Sequence, residues 1–512
     1  MIRLAEVSLD VAAAHLLGNE YASKYLVLPI GLEGGHLRVA MRAPFDEVVI
    51  QHLVTLTGKF ILPLAADEDD LRFYINKVFG EDEMNTIVSQ FVVNERVENA
   101  EISAEVLAEI SSAPVVRFID SLIDAGTLNR ASDIHVEPFG QKMRARYRLD
   151  GRLVTYGKVD ISLLSNVISR LKIMGGLNIA EKRIPQDGHF SMVFEDKLGE
   201  KDEKDKKDDQ GEKIDFRLST MPTAFGEKAV LRLLYGQNAR LKKEDLGFFE
   251  DDLQVLIELF TRPYGAIFMT GPTGSGKSTT LNCFLQVLDS ETLNIITVED
   301  PVENPILGVN HVNVEPQAGF TFASALRHIL RQDPDVIMIG EIRDEETARI
   351  AIQAAITGHV VLSTLHTNDA AGVIERLSDM GIEPYLAAAA LNGVISQRLV
   401  RRICKECSAP TTLTPTQARL LNLPQDTQVY EGAGCAHCNL TGFRSRFAVY
   451  EYIIMNEKMR RHMSTNPAEF AAELRKRGGL RANAIRSLLK GFTTADEVIR
   501  ALNHDGVEDE NE

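Results

Sequence analysis

The chain has 512 residues, of which 44 % are hydrophobic and 25 % are charged, a composition typical of a globular protein with roughly three domains. Its formal net charge of −17 argues against a nucleic-acid channel, because binding to a phosphodiester backbone needs clustered lysine and arginine. No run of 18 apolar residues occurs and the N-terminus lacks the layout of a secretory signal, so we expect a cytoplasmic protein.

Residues 1–95 are predicted to form a small N-terminal α/β domain that docks a partner. The run LVLPIGLEGGHLRVAMRAP alternates around a glycine turn, which is typical of two strands. The segment FDEVVIQHLVTLTG has helical spacing and ends at a glycine. The acidic stretch 96–112 has no aromatic residue, and we interpret it as a linker.

A second domain is predicted for residues 113–240. Its segments PVVRFIDSLIDAGTLNR and LLSNVISRLKIMGGLNI have the spacing of amphipathic helices, whereas SDIHVEPF and MRARYRLDGRLVTY alternate like strands. DGHFSMVFED and KIDFRLSTMP are predicted to pair as a hairpin. The segment 196–213 between them combines mixed charge with a single leucine, so we expect a solvated loop there.

The third predicted domain, residues 241–512, alternates apolar strands with helical stretches. The strands are AIFMT, NIITVED, DVIMIGE and HVVLSTLH. This alternation predicts a parallel sheet with crossover helices and a ligand at the carboxyl ends of the strands. A cysteine-containing subdomain is expected at 400–442, followed by the helical segments EKMRRHM and ANAIRSLLKGF.

The segment GPTGSGKS, residues 271–278, matches the P-loop pattern and lies between a predicted strand and a predicted helix. Its glycines let backbone N–H groups turn toward phosphate, and the start of the helix adds positive potential. We expect Lys277 to contact the β- and γ-phosphates of ATP and Ser278 to bind Mg²⁺. The residues predicted to bind the nucleotide are Gly271, Pro272, Thr273, Gly274, Ser275, Gly276, Lys277, Ser278 and Thr279.

Three further strand ends carry side chains suited to hydrolysis. DPDVIMIGEIRD ends an apolar strand at Glu341, as a Walker B segment does, and Gly340 occupies the place where many P-loop ATPases have aspartate. Glu341 is therefore expected to supply the carboxylate for Mg²⁺ or for a water by itself. VEDPVE, residues 298–303, offers three acids that can orient the attacking water. His366 can contact a γ-phosphate, although a buried core histidine is the usual alternative.

Four of the five cysteines form two C-x-x-C pairs, CKEC at 404–407 and CAHC at 435–438. In a reducing compartment, two such pairs predict a structural zinc site with four thiolate ligands, and a redox pair or unligated thiols are the alternatives. The predicted ligands are Cys404, Cys407, Cys435 and Cys438. Cys283, in the helix after the P-loop, is predicted to pack in the core.

Taken together, GPTGSGKSTT, ITVEDPVE, LRQDPDVIMIGEIRD and STLHTNDA resemble the secretion ATPases of the type II and type IV pilus superfamily. ASDIHVEPF, IAEKRIPQDG and DFRLSTMPTAFGEKAVLRLL extend the resemblance to about 113–500. The paired cysteines resemble the assembly branch, which contains general secretion pathway protein E and the pilus extension ATPases. The resemblance implies an α/β fold with a RecA-like P-loop ATPase core, a preceding PAS-like α+β domain, a small N-terminal α/β domain and a tetracysteine zinc subdomain.

This resemblance also implies a homohexamer that hydrolyses ATP with Mg²⁺ and lies in the cytoplasm, peripheral to the inner membrane. The implied partners are an inner-membrane platform protein and a membrane anchor with a cytoplasmic domain, so the membrane is reached through partners, and no nucleic acid is involved. The motor would assemble a type II secretion pseudopilus or, alternatively, extend a type IV pilus. The charged insertion 196–213 and an N-terminal region that only loosely matches the longer pilus ATPases favour type II secretion.

The resemblance further assigns roles to individual residues. Glu299 corresponds to the water-activating acid, Glu341 to the Walker B glutamate, which we also expect at Mg²⁺, and His366 to the histidine box. The segment SALRHILRQ places two of the family's arginines four residues apart, on one predicted helical face. The family's phosphate-facing arginines correspond to Arg217, Arg232, Arg327 and Arg331.

Overall fold

The computed structural model describes most of the chain as two compact units. The first unit comprises Met1–Ala239 with Gly434–Thr441, and the second comprises Arg240–Ala433 with Gly442–Glu512. The predicted linker 96–112 and residues 196–211 of the predicted charged loop lie outside the described residues. The described residues are 2, 4, 7, 9–33, 36–68, 70–75, 78–79, 113–194, 212–235, 243–288 and 290–502.

The N-terminal part of the first unit contains a small sheet and short helices. Its elements are α1 (Val11–Ala14), α2 (Asn19–Tyr25), β1 (Val27–Glu33), β2 (His36–Met41), α3 (Glu47–Thr57) and β3 (Ile61–Ala65). Strand β2 pairs antiparallel with β1 and parallel with β3. Asp46 caps α3, and Gly58 ends it with φ 64, a value that glycine adopts without strain. The two strands and the helix predicted here are confirmed.

A second sheet in the first unit is antiparallel throughout. Its elements are α4 (Ala113–Leu128), β4 (Asp133–Phe139), β5 (Lys142–Leu149), β6 (Arg152–Asp160), α5 (Leu164–Met174), β7 (Gln186–Phe194), β8 (Glu212–Thr223) and β9 (Gly226–Tyr235). The strand order is β6-β5-β4-β9-β8-β7, and one sheet face packs on the two helices through buried residues such as Leu122, Ile134 and Leu171. The predicted β7–β8 hairpin is confirmed.

The predicted charged loop, 196–213, extends too far at its carboxyl end, because β8 already begins at Glu212. Glu212 pairs with Phe194 and Lys213 pairs with Val193, so these two residues belong to a strand. The reason is that β7 continues to Phe194 and offers ladder partners, which the charge of the segment does not reveal.

The second unit is built on a mostly parallel sheet. Its first elements are α6 (Glu250–Phe260), β10 (Gly265–Thr270), α7 (Lys277–Leu285), β11 (Ile295–Glu299), β12 (Asn310–Asn313), α8 (Phe322–Ile329), β13 (Val336–Ile339), α9 (Glu345–Ile356), β14 (Val360–Leu365), α10 (Gly372–Asp379), α11 (Pro384–Ala390) and β15 (Leu391–Ile403). The four predicted strands correspond to β10, β11, β13 and β14, and all four are parallel.

The rest of the second unit follows β15. Its elements are β16 (Ser408–Thr412), α12 (Pro415–Leu421), β17 (Gln428–Gly432), β18 (Phe443–Ile454), α13 (Glu457–Thr465), α14 (Pro467–Lys476), α15 (Gly479–Leu489) and α16 (Ala495–Leu502). The strand order of the large sheet is β12-β11-β13-β14-β10-β15-β18, with β18 antiparallel to β15. The predicted C-terminal helices are confirmed as α13 and α15.

Helices cover both faces of this sheet, as a parallel sheet requires. On one face, α9, α10 and α11 pack through residues such as Ala351 and Leu377 against Ile339 and Leu365. On the other face, α6 and α7 bury residues that include Cys283, as predicted. Within the described part of the chain, no helix combines the length and the apolar character that crossing a membrane would require.

Candidate functional site

Four predicted site groups lie along one edge of the large sheet. Glu299 is the last residue of β11, Glu341 follows β13 by two residues, and His366 follows β14 directly. The P-loop follows β10. Because these strands are parallel and adjacent in the order β11-β13-β14-β10, their carboxyl ends meet at the same edge.

The backbone of the P-loop forms a cradle that only glycine allows at its first position. Gly271, Gly274 and Gly276 have φ values of 140, 77 and 84. A Cβ on Gly271 would come within 2.4 Å of the carbonyl oxygen of Gln397. Helix α7 begins at Lys277, so its unpaired N–H groups point toward the loop. A phosphate group therefore fits this cradle.

Lys277 is buried at the centre of the loop. Its Nζ donates hydrogen bonds to the carbonyl oxygens of Gly271 at 2.8 Å and Pro272 at 3.0 Å. Burial lowers the pKa of Lys277, and the opposing charge of Glu341 only partly offsets this. An arriving phosphate would favour the charged form, because an anion replaces two neutral carbonyl partners.

Gln397, on β15, forms hydrogen bonds with the P-loop and with the helix that follows it. No sequence motif predicted this role. Its side chain is 1 % exposed. Its Nε2 donates to the carbonyl oxygen of Ser275 at 2.7 Å, and its Oε1 accepts from the hydroxyl of Thr280 at 3.0 Å. The amide thus connects the loop to the first turn of α7 and fixes the loop's shape.

We expect Gln397→Leu to weaken ATP binding roughly tenfold, because unpairing buried polar groups costs about 1–3 kcal/mol. The measurement is titration of a fluorescent ATP analogue against the full chain. Gln353→Leu, at an exposed position on α9, is the matched control and should bind normally. Wild-type affinity in Gln397→Leu would contradict the supporting role.

Glu341 is held between a guanidinium group and an imidazole. Its Oε1 lies 2.6 Å from Nη2 of Arg343, and its Oε2 lies 3.5 Å from Nε2 of His366. Burial and the charge of Lys277 lower the pKa of His366, against the opposing effect of Glu341. The sequence analysis did not predict a role for Arg343. It lies two residues after Glu341, and in extended backbone this spacing places two side chains on the same face.

Threonine hydroxyls connect the loops that carry these groups. The Oγ1 of Thr270, at the end of β10, donates to the carbonyl oxygen of Thr367 at 3.0 Å. The Oγ1 of Thr364 donates to the carbonyl oxygen of Gly340 at 2.7 Å. The P-loop, the His366 loop and the Glu341 loop are therefore aligned with one another by short-range hydrogen bonds.

Glu299 is buried at the end of β11 beside two donors. Its Oε1 accepts from Oγ1 of Thr297 at 2.7 Å and lies 2.8 Å from Nδ1 of His311. The Cα of Glu299 would lie 3.5 Å from a Cβ placed on Gly340. The first residue of the Glu341 loop therefore packs directly against Glu299.

Two of the four predicted arginines lie together in the first unit. Arg217 on β8 and Arg232 on β9 are Cα partners in the antiparallel ladder. The Nε of Arg232 donates to Oδ1 of Asp133 at 3.1 Å, which orients the exposed guanidinium group. The sequence analysis predicted Arg232 but not its partner Asp133, because the two residues lie 99 positions apart in the sequence.

Of the other two arginines, only Arg327 lies within a helix, so the predicted placement of Arg331 on the same helix is wrong. Arg327 lies on α8 and pairs with Glu346, but α8 ends at Ile329 and Arg331 lies beyond it. After Ile329 the backbone tightens into turns, in which the N–H of Arg331 donates to the carbonyl oxygen of His328 at 3.0 Å. Helical backbone is excluded by Asp333, which precedes Pro334 and has φ 50.

The four paired cysteines converge as predicted. Their Sγ atoms all lie within 4.8 Å of one another. The Sγ atoms of Cys435 and Cys438 are 3.7 Å apart, close to the ~3.8 Å that a tetrahedron with Zn–S bonds of about 2.3 Å requires. Four soft thiolate donors at this spacing fit zinc, which would close the site without leaving an open position.

Comparisons with known proteins cover nearly the whole chain. Residues 108–500 match the family described as type II/IV secretion system protein, and residues 1–85 match the MshEN domain. The type IV pilus assembly ATPase PilB of Myxococcus xanthus is 40 % identical over 516 residues, which cover 97 % of this chain and 88 % of that protein. The type II secretion system protein E of Pectobacterium carotovorum subsp. carotovorum is 42 % identical over 412 residues, which cover 80 % of each chain.

A solved structure agrees with the fold. The X-ray structure of the ATPase DotB of Yersinia pseudotuberculosis has a TM-score of 0.55 at 19 % identity and covers 80 % of this chain and 96 % of that one.

The match to the pilus assembly relative extends over 97 % of this chain. The expectation that the N-terminal region only loosely matches the pilus ATPases is therefore corrected.

Proposed function

The chain belongs to the type II/IV secretion system protein family and is an ATP-hydrolysing enzyme of secretion or pilus assembly; on this premise we propose that it assembles a fibre of pilin-like subunits at the inner membrane. The observation that supports ATP hydrolysis is the shared sheet edge of the P-loop, Glu341, His366 and Glu299. The fibre is proposed from the relatives named pilus assembly ATPase and type II secretion system protein E. We further propose a homohexamer that acts on an inner-membrane platform protein and reaches the membrane through it and a membrane anchor.

In this proposal the P-loop binds the triphosphate of ATP. Backbone N–H groups of residues 273–279 would surround the β-phosphate, and Lys277 would exchange its carbonyl partners for β- and γ-phosphate oxygens. Ser278, which is exposed at the start of α7, and Glu341 would hold Mg²⁺. A bound Mg²⁺ supplies positive charge that neutralises the phosphates.

The carboxylates then orient the attacking water. Phosphoryl transfer passes through a loose transition state, so the protein contributes chiefly position and charge. Glu299, at the neighbouring strand end, is proposed to accept a hydrogen bond from the water and to align it. His366, which follows β14 at the same sheet edge, is proposed to donate a hydrogen bond to the γ-phosphate.

The arginines are proposed to stabilise the negative charge of the transition state. Arg217 and Arg232 present two guanidinium groups side by side, a geometry suited to phosphate oxygens. Arg327 and Arg331 are proposed to contact phosphate as well, and Arg327 would first have to leave Glu346. In a ring, such groups let the nucleotide state of one subunit influence its neighbour.

Two pathways share this chemistry. The first candidate is assembly of a type II secretion pseudopilus, supported by the relatives named protein E. The second is extension of a type IV pilus, favoured by the match over 97 % of this chain to a pilus assembly ATPase.

Deletion of the gene tests both candidates in the native host. Loss of exoprotein secretion with surface pili intact would support the first, and loss of pili with secretion intact would support the second. Complementation with Lys277→Ala should fail in either case, because the phosphate site is disabled, whereas Lys458→Ala is the control and should restore function. A deletion strain with both processes intact would contradict the proposal.

A further inference from the structure

The side chain of His311 meets Glu299 across two neighbouring strands. Strand β12 pairs parallel with β11, and Thr297 and His311 are Cα partners in this ladder. Glu299 lies two residues after Thr297 and therefore projects from the same face. Thr297 is fully buried, and the side chains of Glu299 and His311 are 10 % and 8 % exposed. The three polar groups form one buried cluster.

The hydrogen bonds around His311 determine which ring nitrogen carries the proton. The backbone N–H of Ile306 points to Nε2 at 2.9 Å, so Nε2 accepts and carries no hydrogen. The proton of the neutral ring is then on Nδ1, which lies 2.8 Å from Oε1 of Glu299. A backbone amide on one side of the ring thus makes the other side a donor to the acid.

Two donors consequently converge on one oxygen of Glu299. The hydroxyl of Thr297 donates to Oε1 at 2.7 Å, and Nδ1 of His311 donates to the same atom at 2.8 Å while also lying 2.8 Å from the Thr297 hydroxyl oxygen. Among the described residues, no hydrogen bond is recorded to Oε2 of Glu299. The hydrogen bonds to Oε1 therefore restrict rotation of the carboxylate. Its other oxygen, Oε2, is available to accept a hydrogen bond from a water molecule.

We propose that His311 is a positioning residue that holds the carboxylate of Glu299 in the orientation needed to align the attacking water. The inference rests on the water-orienting role proposed above for Glu299. Because hydrolysis depends on an in-line approach, a misdirected carboxylate lowers the rate of the chemical step and leaves ATP binding unchanged.

Two substitutions separate positioning from packing. In His311→Asn, the side-chain amide reaches the place of Nδ1 and still donates to Glu299. In His311→Gln, the longer amide reaches the place of Nε2, meets the N–H of Ile306 and leaves Glu299 without its donor. We expect kcat for ATP to fall roughly 10- to 100-fold in His311→Gln and to stay near wild type in His311→Asn. KM and the affinity for a non-hydrolysable ATP analogue should be unchanged in both.

The acid itself supplies the test that separates this inference from the proposed function. Glu299→Gln should lose turnover, and adding His311→Gln to it should cause no further loss, because there is no carboxylate left to orient. Wild-type turnover in Glu299→Gln would overturn the role proposed for Glu299. If Glu299→Gln is inactive but His311→Gln turns over normally, the inference about His311 fails by itself.

A purely structural role of His311 predicts a different pattern. In that case both substitutions would lower kcat and the melting temperature together, and this result would overturn the proposal. His328→Gln, at an exposed position on α8, is the matched control and should leave kcat unchanged.

Discussion

Replacing Glu341 by glutamine is expected to stop ATP turnover and to leave ATP binding in place. The substitution keeps the size of the side chain and removes its charge, which faces Arg343 at 2.6 Å and His366 at 3.5 Å. The phosphate cradle is built from other residues, so the P-loop should still bind nucleotide. We expect kcat to fall roughly 10²- to 10⁴-fold, as for loss of a positioned acid–base group. Phosphate release and nucleotide titration on the same preparation measure the two effects.

Loss of folding does not account for an effect of this size. The side chain of Arg343 is 72 % exposed, so losing its ion pair with Glu341 costs at most about 1 kcal/mol of the free energy of unfolding. Glu345→Gln is the matched control, since its carboxylate pairs with Arg349 at the exposed start of α9. We expect this control to hydrolyse ATP normally. A Glu341→Gln protein with wild-type turnover would show that the acid is not required.

Mixing the Glu341→Gln protein with unmodified protein tests the proposed ring. If subunits complete one another's sites, Glu341→Gln chains incorporated into rings should inactivate unmodified neighbours. ATPase activity should then fall faster than in proportion to the variant fraction. A strictly proportional decline would contradict cooperation between subunits and would leave the chemistry at Glu341 unaffected.

The parts of the site that the sequence predicted are those set by local pattern. The P-loop needs glycines at fixed spacing between a strand and a helix, and β10, β11, β13 and β14 are continuous apolar runs that end in polar residues. These features depend on neighbours in the chain, so they can be recognised without knowing the fold. The parallel order of the strands then brought the polar ends together.

The parts that were missed depend on partners distant in sequence. Strand β15 did not show as a strand because it buries Gln397, Arg398 and Arg401, which hydropathy alone places at the surface. Each of these side chains forms a hydrogen bond with another segment of the chain. Gln397 donates to the P-loop, Arg398 donates to the carbonyl oxygen of Asn368 at 2.6 Å, and Arg401 donates to the carboxylate of Glu497 at 2.8 Å. Likewise, His311 lies in a four-residue strand of polar composition, and only its pairing with β11 reveals the contact with Glu299.

Removal of zinc is expected to unfold the region around the four cysteines, and purified protein is expected to carry one zinc ion per chain. Strands β15 and β18 extend toward the cysteines, and the N–H of Cys404 donates to the carbonyl oxygen of Gly442 at 3.0 Å. Four thiolates brought this close would repel one another without a cation. In zinc-finger peptides the apparent metal-binding free energy is about 10–16 kcal/mol, and most of it is folding free energy.

The unfolding should be local and uneven, because part of this region has a core of its own. Leu413 and Leu421 are buried with Val429, in the same cluster as Leu480 and Leu488 of α15. This apolar contact should keep α12 attached after the metal is removed. The segments 404–412 and 432–442 contribute no residue to this cluster and should lose protection first. Hydrogen exchange measured before and after treatment with a strong chelator distinguishes these segments from α12.

Cysteine variants give the same test without a chelator. Cys438→Ser should lose zinc and show fast exchange at 404–412 and 432–442, because three thiolates leave the tetrahedron incomplete. Cys283→Ser, on α7 and apart from the cluster, is the control and should keep its zinc. The P-loop contacts to Gln397 lie seven residues before Cys404 on the same chain, within the well-paired part of β15. We therefore expect ATP affinity to survive zinc loss, and unchanged exchange in zinc-free protein would contradict a structural role for the metal.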